Sequence, residues 1–503
     1  MQYWDLKILF PILFITCIIS MVFLCRKEKL QKGSYLWLAQ IVLFWIAAGF
    51  IGNQLKNDIE IQKNLNSINF IVLSIFSTSL FLIILKPLAT FTTGIFKNRK
   101  IWIQISSVIM IFILIITSIS DLPLWLTIII IMLFSFSLAS STLFYLFSNE
   151  QNFFRIYTLP SIWITFVFIT FSSSFGIYLS NSNLVYKNNG FSISLIVILS
   201  ILVVLGFAIS FLSKENKNLV QVFDEEILNK LPQKNNMIFL IIYLLGFLIT
   251  LTSAMNNSIF IKLYIALNLI NFDLNEEQVN LWLRINDFVY LVPTIITSII
   301  SYKLLRKVIE QKYLIFISMF ILFGTYTAMA FVPNPFIFIA LNILAGICFN
   351  QIIYSLFSAC VFWNYRAKRN PVTGYFGSAM FGSYFITELI ENFISGKKIG
   401  IFKNFTNVDE LLDKWKNIEQ SSKTEILIMS DNISTIIMSI ACVLILASIL
   451  LFYFTSSKIF ADYSKYKIAT QNLKILIKKR VMTKTKTKFK VEIFEEGESE
   501  NYE

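Results

Sequence analysis

Thirteen stretches of this chain are too long and too apolar to be left in water. They run over 5–25, 35–53, 67–88, 101–119, 122–147, 156–180, 191–213, 237–260, 280–303, 314–332, 335–362, 372–395 and 427–455. A run of about 18 residues with few charges is long enough to cross a bilayer as a helix. Inside hydrocarbon, only helices and closed barrels satisfy the backbone. Only 15% of the 503 residues are charged, against about a quarter in soluble domains. The expected fold is an all-α polytopic membrane protein, with the long stretch 122–147 tilted.

The net charge of +13 does not point to nucleic acid, because the basic residues sit in alternate loops. One set holds Arg26, Lys27, Lys29 and Lys32, then Lys97, Arg99 and Lys100, then Arg155. It continues with Lys214, Lys217, Lys230 and Lys234, with Lys303, Arg306, Lys307 and Lys312, and with Arg366, Lys368 and Arg369. The opposite set holds only Lys7, Lys56, Lys63, Lys187 and Lys262 until 396–426, where lysines mix with acids. The positive-inside rule places the first set in the cytoplasm of a cell bounded by this plasma membrane. The N-terminus is then outside and the C-terminus inside, with a basic tail suited to anionic lipid. Asp5 beside Lys7, with the positive cluster after the run, fits a retained helix rather than a cleaved signal.

Several chemistries are missing. The chain has no histidine, which removes imidazole shuttles, His-ligated zinc and Ser-His triads. Cys17, Cys25, Cys348, Cys360 and Cys442 all fall within apolar runs and form no CxxC pair, so no disulfide framework or metal cluster is expected. There is no phosphate-binding G-x-x-x-x-G-K-[ST] loop. No cofactor and no catalytic residue are expected.

With the first run set aside, twelve remain, split six and six by the polar stretch 214–236. Each half has the same rhythm. Its second span ends in a basic loop, Lys97 to Lys100 or Lys303 to Lys312. Its third and fourth spans meet in a tight turn, at Asp121-Leu122-Pro123 or Pro333-Asn334-Pro335. Its fifth begins after an Arg with a nearby Pro, Arg155 and Pro160 or Arg369 and Pro371. Parallel six-helix repeats joined by a cytoplasmic linker are one transporter architecture. The expected organisation is an extra N-terminal helix and loop (1–32), a six-helix bundle (33–213), a linker (214–236), a second bundle (237–457) and a charged tail (458–503).

Over 33–457 the chain resembles the major facilitator superfamily, and within it the divergent transporters of mycoplasmas. That family's loop after its second helix carries a Gly, an Asp-Arg pair and further basics. Gly94, Lys97, Arg99 and Lys100 match it, but the Asp is missing, so the family's salt bridge on that Asp is not carried over. In the second half Arg306 and Lys307 stand without Gly or Asp.

Charges within apolar runs are costly and so mark function. Glu388 and Glu391 share a helix face at i and i+3. Glu388 lies past the midplane and is the candidate for proton coupling, while Glu391 reads as hydrated at the outer mouth. Arg284 and Asp287 form an i, i+3 pair near an outer end, either neutralising one another or serving as a gate or an anionic-substrate clamp. Lys86 reads as snorkelling from a cytoplasmic helix end. Asn256 and Asn257 interrupt the first helix of the second half. They read as lining a substrate cavity, or as interhelical hydrogen bonds that hold the bundle. In the resembled family the first helices of both halves line that cavity, which adds Gln40 and Trp45. Asn350, Gln351 and Tyr354, with Asn342, supply polar positions in the 335–362 span. Ser172, Gly176 and Ser180, and Gly374, Ser378 and Gly382, form small-residue faces for close helix contact. The resemblance puts both faces against the opposite half. Val408, Leu411, Leu412, Trp415 and Ile418 form an amphipathic outer helix.

The function expected is secondary or facilitative transport of a small polar solute by alternating access, with protons or another ion as coupling partner. Alternatives are a lipid or polymer flippase, a membrane-embedded enzyme, or a non-transporting receptor. The amide and aromatic candidates favour a neutral solute.

Overall fold

The computed structural model describes residues 3–65, 67–95, 98–117, 122–152, 158–186, 189–214, 236–287, 289, 311–364, 372–397, 399–403, 405 and 408–484. Lys97, Asp121, Arg155, Lys187, nearly all of the linker, Lys303, Arg306, Lys307, Arg366, Lys368 and Arg369 lie outside them. Among the described residues there is no strand, and nine helices are long and apolar enough to cross a membrane.

The extra helix α1 (Tyr3–Glu28) precedes the first half. That half comprises α2 (Lys32–Leu65), α3 (Ser67–Ile75), α4 (Thr78–Ile95), α5 (Ile101–Ile116), α6 (Leu124–Asn152), α7 (Thr158–Tyr186) and α8 (Asn189–Leu212). Helices α3 and α4 are one span broken at Phe76-Ser77. The second half comprises α9 (Asn236–Asn256), α10 (Ile259–Asn271), a helical stretch over 276–287, α11 (Gln311–Phe331), α12 (Pro335–Asn364), α13 (Val372–Gly396), α14 (Val408–Trp415) and α15 (Gln420–Lys484). The last helix runs unbroken from its apolar span into the basic segment.

The bundle is dressed for lipid. On α5, Ile105, Val108, Phe112 and Ile115 are exposed while Ser106, Ser107, Met110 and Ile113 are buried. Lipid is as apolar as leucine, so helices associate through close packing and polar contacts rather than by hiding apolar surface. The α2–α7 contact shows this. A Cβ on Gly176 would lie 2.0 Å from the Ile46 carbonyl oxygen, and one on Gly49 would lie 2.1 Å from that of Ser173. Only a missing side chain lets the two backbones meet. Asn53 then donates to Ser180 Oγ at 3.0 Å and Asn181 Oδ1 at 2.9 Å. The Ser172–Gly176–Ser180 face thus packs within its own half, not on the opposite one, because Gly49 makes its partner on α2. Helix α1 rests on the same α7 through Phe14, 5.3 Å from the Phe171 ring.

The Gly374–Ser378 face does cross between halves. A Cβ on Gly374 would lie 2.5 Å from the Lys86 carbonyl oxygen, and Ser378 Oγ donates to the Ile83 carbonyl oxygen at 2.5 Å. Helices α4 and α13 therefore form an inter-half seam.

The expected outer loop around Lys262 is instead helix α10, whose Ile261, Leu263, Ile265 and Leu267 are buried. One lysine in an otherwise apolar segment does not stop a helix that has a surface to pack on. The amphipathic α14 covers part of that surface, with Leu411 and Leu412 buried.

Candidate functional site

At the end bearing Arg26, Lys27, Arg99, Lys100 and Lys312, the first half is tied by an ion pair. Arg99 donates to both carboxylate oxygens of Glu150, at 2.8 and 2.6 Å, and its guanidinium lies 4.9 Å from the Phe147 ring centre. Lys100 donates to the Ser210 and Ser213 carbonyl oxygens, both at 2.8 Å. These are among the last carbonyls of α8, where a cation complements the helix dipole. The basic loop thus finds its acid at the end of α6, a residue that the loop pattern does not reveal.

Between the halves, a cluster of polar and aromatic side chains converges from six helices. Lys86 of α4 is 9% exposed. Its Nζ donates to Ser141 Oγ of α6 at 3.0 Å and lies 5.0 Å from the Phe381 ring centre of α13. The expected snorkelling does not occur. Helix α4 continues to Ile95, so the lysine sits more than two turns from its end. Gly377 makes room for the stem: a Cβ there would lie 2.6 Å from Lys86 Cδ.

One turn along α6 from Ser141, Tyr145 lies close to Tyr354 of α12. Its ring also meets Phe357 edge-on at 5.1 Å. Tyr354 is flanked by Trp163 and Phe166 of α7, each at 4.7 Å. On α13, Phe381, Tyr384 and Glu388 follow at i, i+3 and i+7, one face of the helix. Tyr384 lies close to Ser253 of α9 and to Glu388.

Glu388 and Glu391 each meet a helix break. Ser77 and Ser79, at the α3–α4 break, lie close to the Glu388 carboxyl, whose Oε2 is buried without a partner. Glu391 Oε1 accepts the Ile259 N–H at 3.1 Å, at the start of α10. Ser258 provides no side-chain cap there, and a helix start leaves backbone donors that need an acceptor. Glu391 is thus placed as a cap rather than as a hydrated mouth residue. Glu391→Ala should weaken that turn by about 1 kcal/mol, seen as faster hydrogen exchange at 259–262. Unchanged exchange would show that the carboxylate does not hold it.

The other candidates spread out. Asn256 donates to Asn342 Oδ1 at 2.7 Å, and Asn342 donates to Asn286 Oδ1 at 2.5 Å. This buried amide chain joins α9, α12 and the 276–287 helix, the arrangement of a bundle-holding contact. Asn257 donates to its own helix at the Ser253 carbonyl, and Asn350 does the same at Gly346. Gln351 is buried one turn from Tyr354 with Nε2 unpartnered. Gln40 is fully buried with both side-chain polar atoms unpartnered, and Trp45 packs on Phe44 within the first half. Asp287 pairs with Lys262 at 3.0 Å on the exposed surface, and Arg284 is exposed in the preceding turn.

Lys86, Ser141, Tyr145, Trp163 and Tyr384 were not proposed from sequence as lining residues. The i, i+4 step from Tyr384 to Glu388 was the available signal, as was a lysine well inside an apolar run.

No family model and no curated protein matches the sequence. Solved structures do match it. A bacterial homologue of the human lysosomal transporter Spinster, inward-facing and unoccupied, aligns with 84% of this chain and 98% of its own, at 13% identity and a TM-score of 0.51. The E. coli fucose:proton symporter aligns with 82% and 97%, at 10% identity and 0.47. The nucleoside transporter NupG aligns with 83% and 98%, at 16% identity and 0.48. The likeness to the Spinster homologue, over 84% of this chain and 98% of its own, gives this chain the polytopic all-α fold of that transporter.

Proposed function

We propose that this protein is a carrier that moves a small polar solute across the plasma membrane by rocking its two halves about a site between them. The observation that carries the reading is the inter-half cluster. Lys86, Ser141 and Tyr145 come from the first half, and Tyr354, Phe381, Tyr384 and Glu388 from the second. Polar and ionisable side chains buried in a membrane-spanning bundle mark substrate and ion paths. Placing them on both sides of a seam makes their arrangement depend on how the halves sit.

The boundaries at 33, 214, 237 and 458 divide the chain into two moving bundles, a linker and a tail. The basic loops face the cytoplasm, with the N-terminus outside. In that orientation the Tyr145–Phe357 and Trp163–Tyr354 contacts form the inner closure. Glu388 carries the coupling proton, with Oε2 as its seat and Ser77 and Ser79 as its contacts on the other half. Gln351 adds an amide beside Tyr354. Gln40, Trp45 and Asn257 at the helix break line the approach, while Asn256 holds the bundle behind it, and Arg284 and Asp287 sit at its outer rim. The reading assigns no covalent step to the chain.

The test is uptake of labelled sugars, nucleosides, amino acids and organic acids into proteoliposomes, with and without a proton gradient. Saturable uptake of one class is the expected result. No uptake of any class by folded protein would overturn the reading.

A further inference from the structure

Lys86 is a buried cation whose polar contacts are neutral. An ammonium has three N–H donors. Ser141 Oγ takes one at 3.0 Å, and the Phe381 face lies 5.0 Å from the nitrogen. No carboxylate among the described residues pairs with it. A hydroxyl and a ring face do not cancel a charge, and uncompensated charge within a bilayer-spanning bundle is expensive. The structure nonetheless makes space for it. Gly377 keeps its side of the seam empty where the lysine stem runs, and a methyl group there would collide with Cδ at 2.6 Å.

Ser141, at the ammonium, begins a row of hydroxyl donors along α6 and α12. Ser141 Oγ accepts from Lys86 and keeps its own proton to donate. Tyr145, one turn further on α6, and Tyr354 close to it add two hydroxyls. Glu388 lies seven residues beyond Phe381 on α13, about 10 Å along the helix, and repels a second negative charge from the far end of the cluster. One cation, several hydroxyl donors and a distant carboxylate suit a solute with a single anionic end.

We infer that Lys86 and Ser141 seat an anionic oxygen group, a carboxylate or a phosphate, of the cargo, so that the substrate class is a small organic anion rather than the neutral solute expected from sequence. This rests on the carrier reading. Charge-assisted hydrogen bonds are about twice as strong as neutral ones, and here both groups come from the first half while Phe381 and Gly377 of the second half close over them, so cargo would complete the seam's charge balance.

The experiment uses the full chain in liposomes of neutral lipid. It compares labelled lactate, succinate, inorganic phosphate and glucose 6-phosphate with labelled glucose and uridine. Wild type should take up at least one anionic probe saturably. Lys86→Gln should raise its half-saturating concentration about tenfold or more, the loss expected for one charge-assisted hydrogen bond. Gly377→Ala, which keeps the charge but displaces its stem, and Ser141→Ala, which removes one hydroxyl, should each weaken uptake; they also serve should Lys86→Gln fail to fold. A parallel arm follows flipping of a labelled phosphatidylglycerol. Lys86-dependent flipping without soluble uptake supports the same seat and makes a lipid headgroup the source of the anion. Saturable uptake of glucose or uridine alone, or anion uptake indifferent to all three variants, overturns the anion seat and leaves the carrier standing. Absence of any uptake or flipping by folded wild type overturns both.

Discussion

Glu150→Ala is expected to lower the stability of the folded chain by about 3–5 kcal/mol, the cost of breaking a buried ion pair by removing one partner. The side chains are 15% (Arg99) and 3% (Glu150) exposed, and the two parallel hydrogen bonds give the pair a fixed geometry. Exposed pairs are worth at most about 1 kcal/mol, so burial decides the size of the effect. Removing the carboxylate leaves the guanidinium over Phe147 without its bidentate partner. Equilibrium unfolding in mixed micelles measures the cost. The double variant Arg99→Met/Glu150→Leu should recover most of it, because apolar replacement of both partners is often neutral. A loss below about 1 kcal/mol for Glu150→Ala would place the pair among surface contacts.

Glu388→Gln is expected to abolish gradient-driven accumulation while leaving equilibration of the cargo intact. One proton moving down a gradient of one pH unit supplies about 1.4 kcal/mol, enough for about a tenfold concentration ratio. Wild-type vesicles should approach that ratio per coupled proton, and the variant should stop at equal concentrations inside and out. Glutamine keeps the shape and can still meet Ser77 and Ser79, so a folded variant isolates the proton. Unchanged accumulation would remove Glu388 from the coupling role.

Much of the fold was legible because the bilayer imposes a coarse rule. Length and apolarity mark spans, and loop charge marks their sides. The six-and-six rhythm came from loops, several of which lie outside the described residues. The site was less legible, since side chains from distant spans meet only after folding. Glu388 was visible as a charge in an apolar run. Its neighbours Ser77 and Ser79 became meaningful only once the break at Phe76-Ser77 turned them toward α13. Lys86 obeys the same rule as Glu388 but reads as lying near a helix end, because Pro87 follows it. The helix instead carries the proline and continues to Ile95. Asn256 and Asn257 were correctly placed at an interruption. Which residue would cap the next helix depended on Glu391, more than 130 residues away.

The most direct measurement of the central claim is uptake by a chain whose halves are reversibly tied at the closure. Tyr145→Cys and Phe357→Cys, in a background without the five native cysteines, put one thiol on each half where the rings now meet at 5.1 Å. A short cleavable thiol cross-linker should stop uptake, and cleaving it should restore the rate. Undiminished uptake by fully cross-linked protein would contradict movement of the two halves about the site between them.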